Sequence, residues 1–257
     1  MYEVFSSGGG TQSTCIAALI VQGRLPKPDF MVIADTGREC RSTWDYLDSV
    51  TRPALAAVGV EVHRIAAAEW ASEHCRQAFN GDSLQIPAYT NQSGDIGKLP
   101  GYCSSQWKVR VIDRYLSRTF GITRSQYRKW VGFSLDEWRR VQKMSVGKDY
   151  RKGLIRFPLV SDVPLRRHEV IREVERMGWT TPPRSRCWMC PNQHDQEWID
   201  LSGDDLALAA EFEAEIQTKD PFAWLHKSCI PIAQVDFSAE PGLFDSGDYC
   251  SSGVCFV

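Results

Sequence analysis

Residues 6–14, Ser-Ser-Gly-Gly-Gly-Thr-Gln-Ser-Thr, set five hydroxyl side chains around three consecutive glycines. The glycines allow a sharp turn and leave backbone N–H groups uncovered. An apolar run at helical spacing (Cys15, Ile16, Leu19, Ile20) follows at once. A glycine turn between a strand and a helix N-terminus suits anions, because the orphan N–H groups and the helix dipole point at the same place. Ser6, Ser7, Thr11, Ser13 and Thr14 would add hydroxyls to such a site. The stretch is not G-x-x-x-x-G-K-[ST], since the lysine is missing, nor is it G-x-G-x-x-G. A purely structural turn is the competing reading.

The second chemical feature is Cys-Trp-Met-Cys-Pro at 187–191. Two cysteines at this spacing can grip one metal or cluster. Cys103, in the lead-in to a helical segment, is a third candidate. A zinc site, a redox pair and an iron–sulfur cluster all remain open on spacing alone. Nine cysteines leave one unpaired in any disulfide framework, so metal or thiol chemistry is the better expectation. Cys15 and Cys75 fall on helical segments and are expected to pack, whereas Cys40 and Cys229 carry no assignment. Cys250 and Cys255 close a turn-rich tail. His168, His194 and His226 have no metal-ligand spacing, and His194, close to the cysteine pair, is expected to face solvent.

Charge is segregated. Residues 103–186 carry 20 Lys and Arg against 8 Asp and Glu, within a chain whose net charge is −2. Aromatics interleave with the cations, as in Ser-Gln-Tyr-Arg-Lys-Trp (125–130) and Glu-Trp-Arg-Arg (137–140). Cations neutralise phosphates and aromatic faces stack bases, so this block is expected to meet nucleic acid. Within it, Arg140 follows a strand-to-helix segment and is a candidate for a bidentate phosphate clamp. A surface helix turn with salt bridges is the plainer alternative.

These residues need positioning elements. Tyr-Glu-Val-Phe-Ser-Ser (2–7) reads as a strand, and 13–23 as a helix closing on Gly23. Asp-Phe-Met-Val-Ile-Ala-Asp (29–35) reads as a strand buried on both faces. Residues 42–59 are expected to be helical, with Ser42 as N-cap and a break near Pro53. Further strands are expected at 60–66 and 127–134, with a helix over 68–79. The alternation predicts an α/β fold around a parallel sheet, with the ligand at the carboxyl ends of the strands. Residues 80–102 read as a long polar loop, and 204–216 as an acidic helix. The expected organisation is an α/β nucleotide-binding domain over 1–180 and a cysteine-containing region over 181–257. No apolar run approaches the length of a membrane span and no leader-like segment opens the chain, so a cytoplasmic location is expected.

The ordered series Ser-Ser-Gly-Gly-Gly-Thr-Gln-Ser-Thr, Val-Ile-Ala-Asp-Thr-Gly, Cys-Ser-Ser-Gln-Trp-Lys-Val-Arg, Val-Gly-Phe-Ser-Leu-Asp-Glu-Trp and Arg-Ser-Arg-Cys-Trp-Met-Cys-Pro resembles the PP-loop ATP pyrophosphatases, or adenine nucleotide alpha hydrolases. Within them it is similar to the PAPS reductase-like branch and to the ATP-pyrophosphatase component of DNA phosphorothioation systems. The resemblance implies a five-stranded parallel sheet flanked by helices and cleavage of a nucleotide between its α and β phosphates. It implies ATP and Mg²⁺ held by Ser7, Gly8, Gly9, Gly10, Thr11 and Ser13, with Asp35 and Thr36 lining the nucleotide pocket. Ser13, Gln12 and Arg140 take the catalytic positions, Gln12 standing where the family usually has Asp. It further implies a [4Fe–4S] cluster on Cys103, Cys187 and Cys190, with a fourth position open or filled by Cys250 or Cys255. The expected activity is activation of a DNA or tRNA site for sulfur insertion, with a cysteine desulfurase as sulfur donor. Reduction of PAPS or adenylylsulfate, and a catalytically silent nucleotide-binding partner, are the alternatives. A homo-oligomer is left open.

Overall fold

The computed structural model describes residues 1–71 and 78–237. Cys75, Cys250 and Cys255 lie outside the described residues. The described residues divide into two compact units, Met1–Trp70 with Lys108–Ser185, and residues 71 and 78–107 with 186–237.

The first unit is built on a five-stranded sheet. Its strands are β1 (Tyr2–Ser6), β2 (Phe30–Asp35), β3 (Glu61–Ala66), β4 (Tyr127–Val131) and β5 (Ile155–Arg156), in the order β3-β2-β1-β4-β5. Every neighbouring pair is parallel. Phe30 through Ala34 are all buried, as the unbroken apolar run requires of a strand covered on both faces. Helix α1 (Thr11–Val21) covers one face. Its Ile16, Leu19 and Ile20 join Phe5, Met31, Ile33 and Trp130 of the sheet in one core, together with Val170 and Val174 of α6 (Arg167–Arg176). Helix α4 (Arg110–Phe120) packs on β2 and β3 and buries Val111, Ile112 and Leu116. Two further helical pieces, α2 (Arg41–Tyr46) and α3 (Arg52–Ala57), lead into β3.

The topology decides where a ligand fits. From β1 the chain steps outward to β2 and β3, then returns to β4 and β5 on the other side. Strand order therefore reverses at β1, and the crevice beyond the carboxyl ends at such a reversal is where open α/β sheets take ligands. Ser6 is level with Val32 on one side and Val131 on the other, so β1 and β4 end together while β2 runs three residues further, to Asp35.

The segment 42–59 departs from expectation. Cys40, not Ser42, is the N-cap, and the helix does not break at Pro53. A π turn, Leu47–Thr51, lies between α2 and α3, and Pro53 sits in the first turn of α3. A wider turn before the proline accommodates a ring that an unbroken α ladder would reject.

The second unit takes in the stretch 80–102 that reads as a polar loop. Much of the polar stretch 80–102 is strand. Ala88–Thr90 pairs antiparallel with Gly97–Leu99 on one side and with Ala223–Trp224 on the other. Residues 78–107 thereby fold with the C-terminal region. The acidic helix α7 (Gly203–Gln217) forms as expected, with Ser202 Oγ accepting the Asp205 N–H at 3.1 Å. Buried Glu213 accepts the N–H groups of Leu225 (2.9 Å) and Ile232 (2.6 Å), and burial pushes its carboxyl upward. No helix among the described residues is long and apolar enough to cross a membrane.

Candidate functional site

Residues 7–10 follow the carboxyl end of β1, level with that of β4, and lead into α1. The Ser7 N–H continues the sheet ladder to Val32 O at 2.8 Å, after which the chain turns away. Gly9 is at φ +77°, in the left-handed region, and a Cβ there would stand 2.8 Å from Thr43 Cγ2 and 3.2 Å from Ile33 Cδ1. A Cβ on Gly10 would meet the Ser185 backbone N at 3.3 Å. The loop is thus pressed from two sides and tolerates no side chain at Gly9.

Internal hydrogen bonds hold this shape. The Gly8 N–H donates to Ser13 Oγ at 3.1 Å, and the Gly9 N–H to Ser7 Oγ at 3.0 Å. Ser185 Oγ donates to the Gly8 carbonyl across 177 residues of chain. A serine oxygen that accepts one N–H keeps its own proton for a ligand, so Ser7 and Ser13 remain donors. Helix α1 has no side-chain cap at Gly10 and no acidic residue in its first turn, leaving its N-terminal N–H groups to an anion.

A second layer connects the loop to α5 (Trp138–Ser145). Gln12 Nε2 donates to Glu137 Oε2 at 3.0 Å, and the same oxygen accepts the Ser134 N–H at 3.1 Å. Glu137 Oε1 pairs with Arg140. The Arg140 guanidinium also lies 4.3 Å from the centroid of the Phe133 ring. Burial pulls its pKa below the usual arginine value, Glu137 works the other way, and the Arg184 charge lowers it further. The fold therefore brings Gln12 and Arg140 together through Glu137, and adds Arg184 and Ser185. Sequence reasoning reached neither of these last two. Their only signal was position, immediately before Cys187 in a segment read for its cysteines.

Asp35 and Thr36 close β2 at the same end of the sheet. Asp35 Oδ2 receives Arg64 Nη2 at 2.6 Å and its Oδ1 accepts the Gly37 N–H at 2.8 Å. Arg64 stacks on Trp44, 3.8 Å from the ring centroid. The Asp35 carboxylate is thus engaged in joining β2 to β3. Thr36 is buried, and its Oγ1 accepts the Arg38 N–H at 3.2 Å.

Cys103, Cys187 and Cys190 all belong to the second unit and all are half-buried. The Cys190 N–H donates to Cys187 O at 3.0 Å, a tight turn that suits two thiolates converging on one ion. Three buried donors close to them in sequence, Ser104 Oγ, Arg186 Nε and Trp198 Nε1, have no partner among the described residues. No group of three or more His, Cys, Asp or Glu among the described residues is arranged to hold a metal ion. Cys15 differs in kind, since burial pushes its thiol up to about 12, and it packs in the core as expected.

Much of the basic block is structural. Arg128 pairs with Glu3 (3.0 Å), Arg124 with Asp149 (3.1 Å), Arg156 with Asp162 (2.5 Å) and Lys108 with buried Glu39 (2.5 Å). The exposed cations are concentrated at Arg139, Lys143, Lys148, Arg151 and Lys152, and again at Arg166 and Arg167.

No protein-family profile matches the chain, and no curated protein matches it. Among solved structures the chain is similar to U34-tRNA thiolase NcsA from Methanococcus maripaludis, solved with its [4Fe–4S] cluster. The identity is 13% and the TM-score 0.45, over 99% of this chain and 80% of that one.

Proposed function

We propose that the chain is an ATP pyrophosphatase that activates a nucleic-acid oxygen for sulfur insertion. The observation that carries this reading is the Gly8–Gly10 turn at the strand-order reversal. It opens onto an uncapped helix N-terminus, with two serine hydroxyls and Arg140 at hand. In the proposed reaction the α1 N-terminus, Ser7 and Ser13 bind the phosphates of ATP, with Mg²⁺ as counterion. The substrate oxygen attacks the α phosphorus, a new O–P bond forms, and the bond to the bridging oxygen breaks to release pyrophosphate. Arg140, with Arg184 beside it, neutralises charge on the phosphates. Catalysis on this reading is chiefly positioning and electrostatic neutralisation. A persulfide originating from a cysteine desulfurase then attacks the adenylylated DNA or tRNA, AMP leaves, and a thiol reductant cleaves the resulting disulfide to free the thio-substituted product. The thiols of Cys103, Cys187 and Cys190 would hold a [4Fe–4S] cluster, which supplies sulfur or redox chemistry when bound.

Pyrophosphate release from ATP by anaerobically purified protein, with and without DNA or tRNA, tests the reading. Release that disappears in Ser13→Ala and rises with one nucleic acid is the expected result. No release under any condition, with sulfite instead formed from PAPS, would overturn it.

A further inference from the structure

We propose that Trp138 and the cavity beside it form a docking site for an unpaired nucleobase of a single-stranded nucleic acid. The inference rests on the nucleic-acid part of the function proposed above, and it names where and in what form the strand is held.

Trp138 opens helix α5 with 57% of its surface exposed. Leu135 (36%), Val146 (68%) and Tyr150 (40%) are exposed along the same stretch. A single exposed apolar side chain is ordinary, but several in one short segment mark an interaction surface. Beside Trp138 lies a cavity of about 210 Å³ lined by Ser134, Leu135, Trp138, Val141, Gln142 and Val160. Four of its walls are apolar, Ser134 is fully buried with its Oγ donating to Glu137, and the Gln142 amide is left to meet a polar edge. A flat heterocycle with hydrogen-bonding edges matches that mixture.

The charge around the cavity selects the occupant. From Trp138 to Lys152 there are six basic residues and one acidic residue. The Arg139 guanidinium lies 5.8 Å from the Trp138 ring centroid. Exposed Arg166 and Arg167 approach from another element, because the Leu135 N–H donates to Leu165 O at 2.9 Å and the Arg167 N–H to Asp136. An apolar floor with a cationic rim complements a polyanion carrying π faces. An intact duplex keeps those faces stacked inside, so the ligand must present a base out of the stack. Placement relative to the phosphate loop adds to the case. Trp138 directly follows Glu137, whose carboxylate accepts the Gln12 side chain of the loop. A strand anchored on Trp138 therefore lies beside the loop that would activate it.

The test is fluorescence anisotropy of end-labelled single-stranded DNA and RNA oligonucleotides, and of the corresponding duplexes. The full-length chain is compared with Trp138→Ala and Trp138→Phe. Single strands are expected to bind more tightly than duplexes, and Trp138→Ala to weaken the single strand about tenfold while Trp138→Phe restores most of the loss. The salt dependence should be unchanged in Trp138→Ala, because no phosphate contact is removed, and lower in Arg139→Ala. Equal binding by Trp138→Ala, or tighter binding of duplex than of single strand, overturns the proposal. So does self-association that Trp138→Ala abolishes in the absence of strand binding, which would assign the face to a second copy of the chain. Pyrophosphate release from ATP alone is read in parallel. Its loss with Trp138-dependent binding intact would sink the activity and leave the docking site standing. Its presence without strand binding would do the reverse.

Discussion

Gln12 and Glu137, 125 residues apart, meet through a hydrogen bond from Nε2 to Oε2 at 3.0 Å. The Gln12 amide thus supplies a donor to a carboxylate that also accepts the Ser134 N–H. A donor is needed opposite Glu137, because the two atoms are in direct contact. Gln12→Asp would set two carboxylates against each other in a half-buried site, and one of them would have to take up a proton. The expected cost is about 1–3 kcal/mol in stability, with ATP binding weakened by the added negative charge. Denaturant titration and nucleotide affinity measure both, and a variant as stable and as tight-binding as the parent would show the contact to be idle.

Gly9 should tolerate no other residue. Its φ of +77° costs a side chain about 1–2 kcal/mol before contacts are counted, and a Cβ would stand 2.8 Å from Thr43 Cγ2. Gly9→Ala is expected to lower Tm and to reduce pyrophosphate release at least tenfold. Adding Thr43→Ser removes the clashing methyl but leaves the φ penalty, so it should recover part of the stability and not all of it.

Lys129 provides a pH test. It is buried in β4, and burial lowers its pKa from the ordinary 10.5 to about 8, with Asp113 opposing that shift and Arg124 adding to it. Between those two values the unfolded chain binds a proton that the folded chain has released. Stability should therefore climb as pH rises from about 8 towards 10.5, with the penalty fully present below pH 8. Lys129→Met is expected to stabilise the protein at pH 7 and to flatten this slope. Urea unfolding at a series of pH values checks it, and an unchanged slope in the variant would assign the dependence elsewhere.

The cysteine turn makes its own prediction. Cys187→Ser and Cys190→Ser should each lower the iron and sulfide content of anaerobically purified protein, as measured chemically and by visible absorption. Cys15→Ser should leave both unchanged, since that thiol is buried in the core of the first unit. Equal metal content in all four proteins would remove the turn from metal binding.

What could be read directly were the elements whose pattern is local. The run of buried residues in β2, the helical spacing after residue 11 and the acidic helix α7 each carry their periodicity within one short segment. The strand–turn–helix at residues 2–21 was legible for the same reason, and with it the anion-binding character of the loop. The fifth strand was not, since Ile155–Arg156 is too short to show a period. The π turn before Pro53 was equally hidden, because a proline in a helical pattern reads as a break unless the preceding turn is seen to widen.

By itself, then, the sequence determined an α/β chain with a glycine loop at a strand-to-helix junction, because strand and helix periods and turn chemistry act between near neighbours. Only the tertiary structure decided which side chains complete that loop. Ser185 reaches the Gly8 carbonyl from 177 residues away, Glu137 holds Gln12 and Arg140 together, and Asp35 is engaged by Arg64. Strand order set those meetings by placing β1 between β2 and β4, and no local pattern encodes which strand lies beside which.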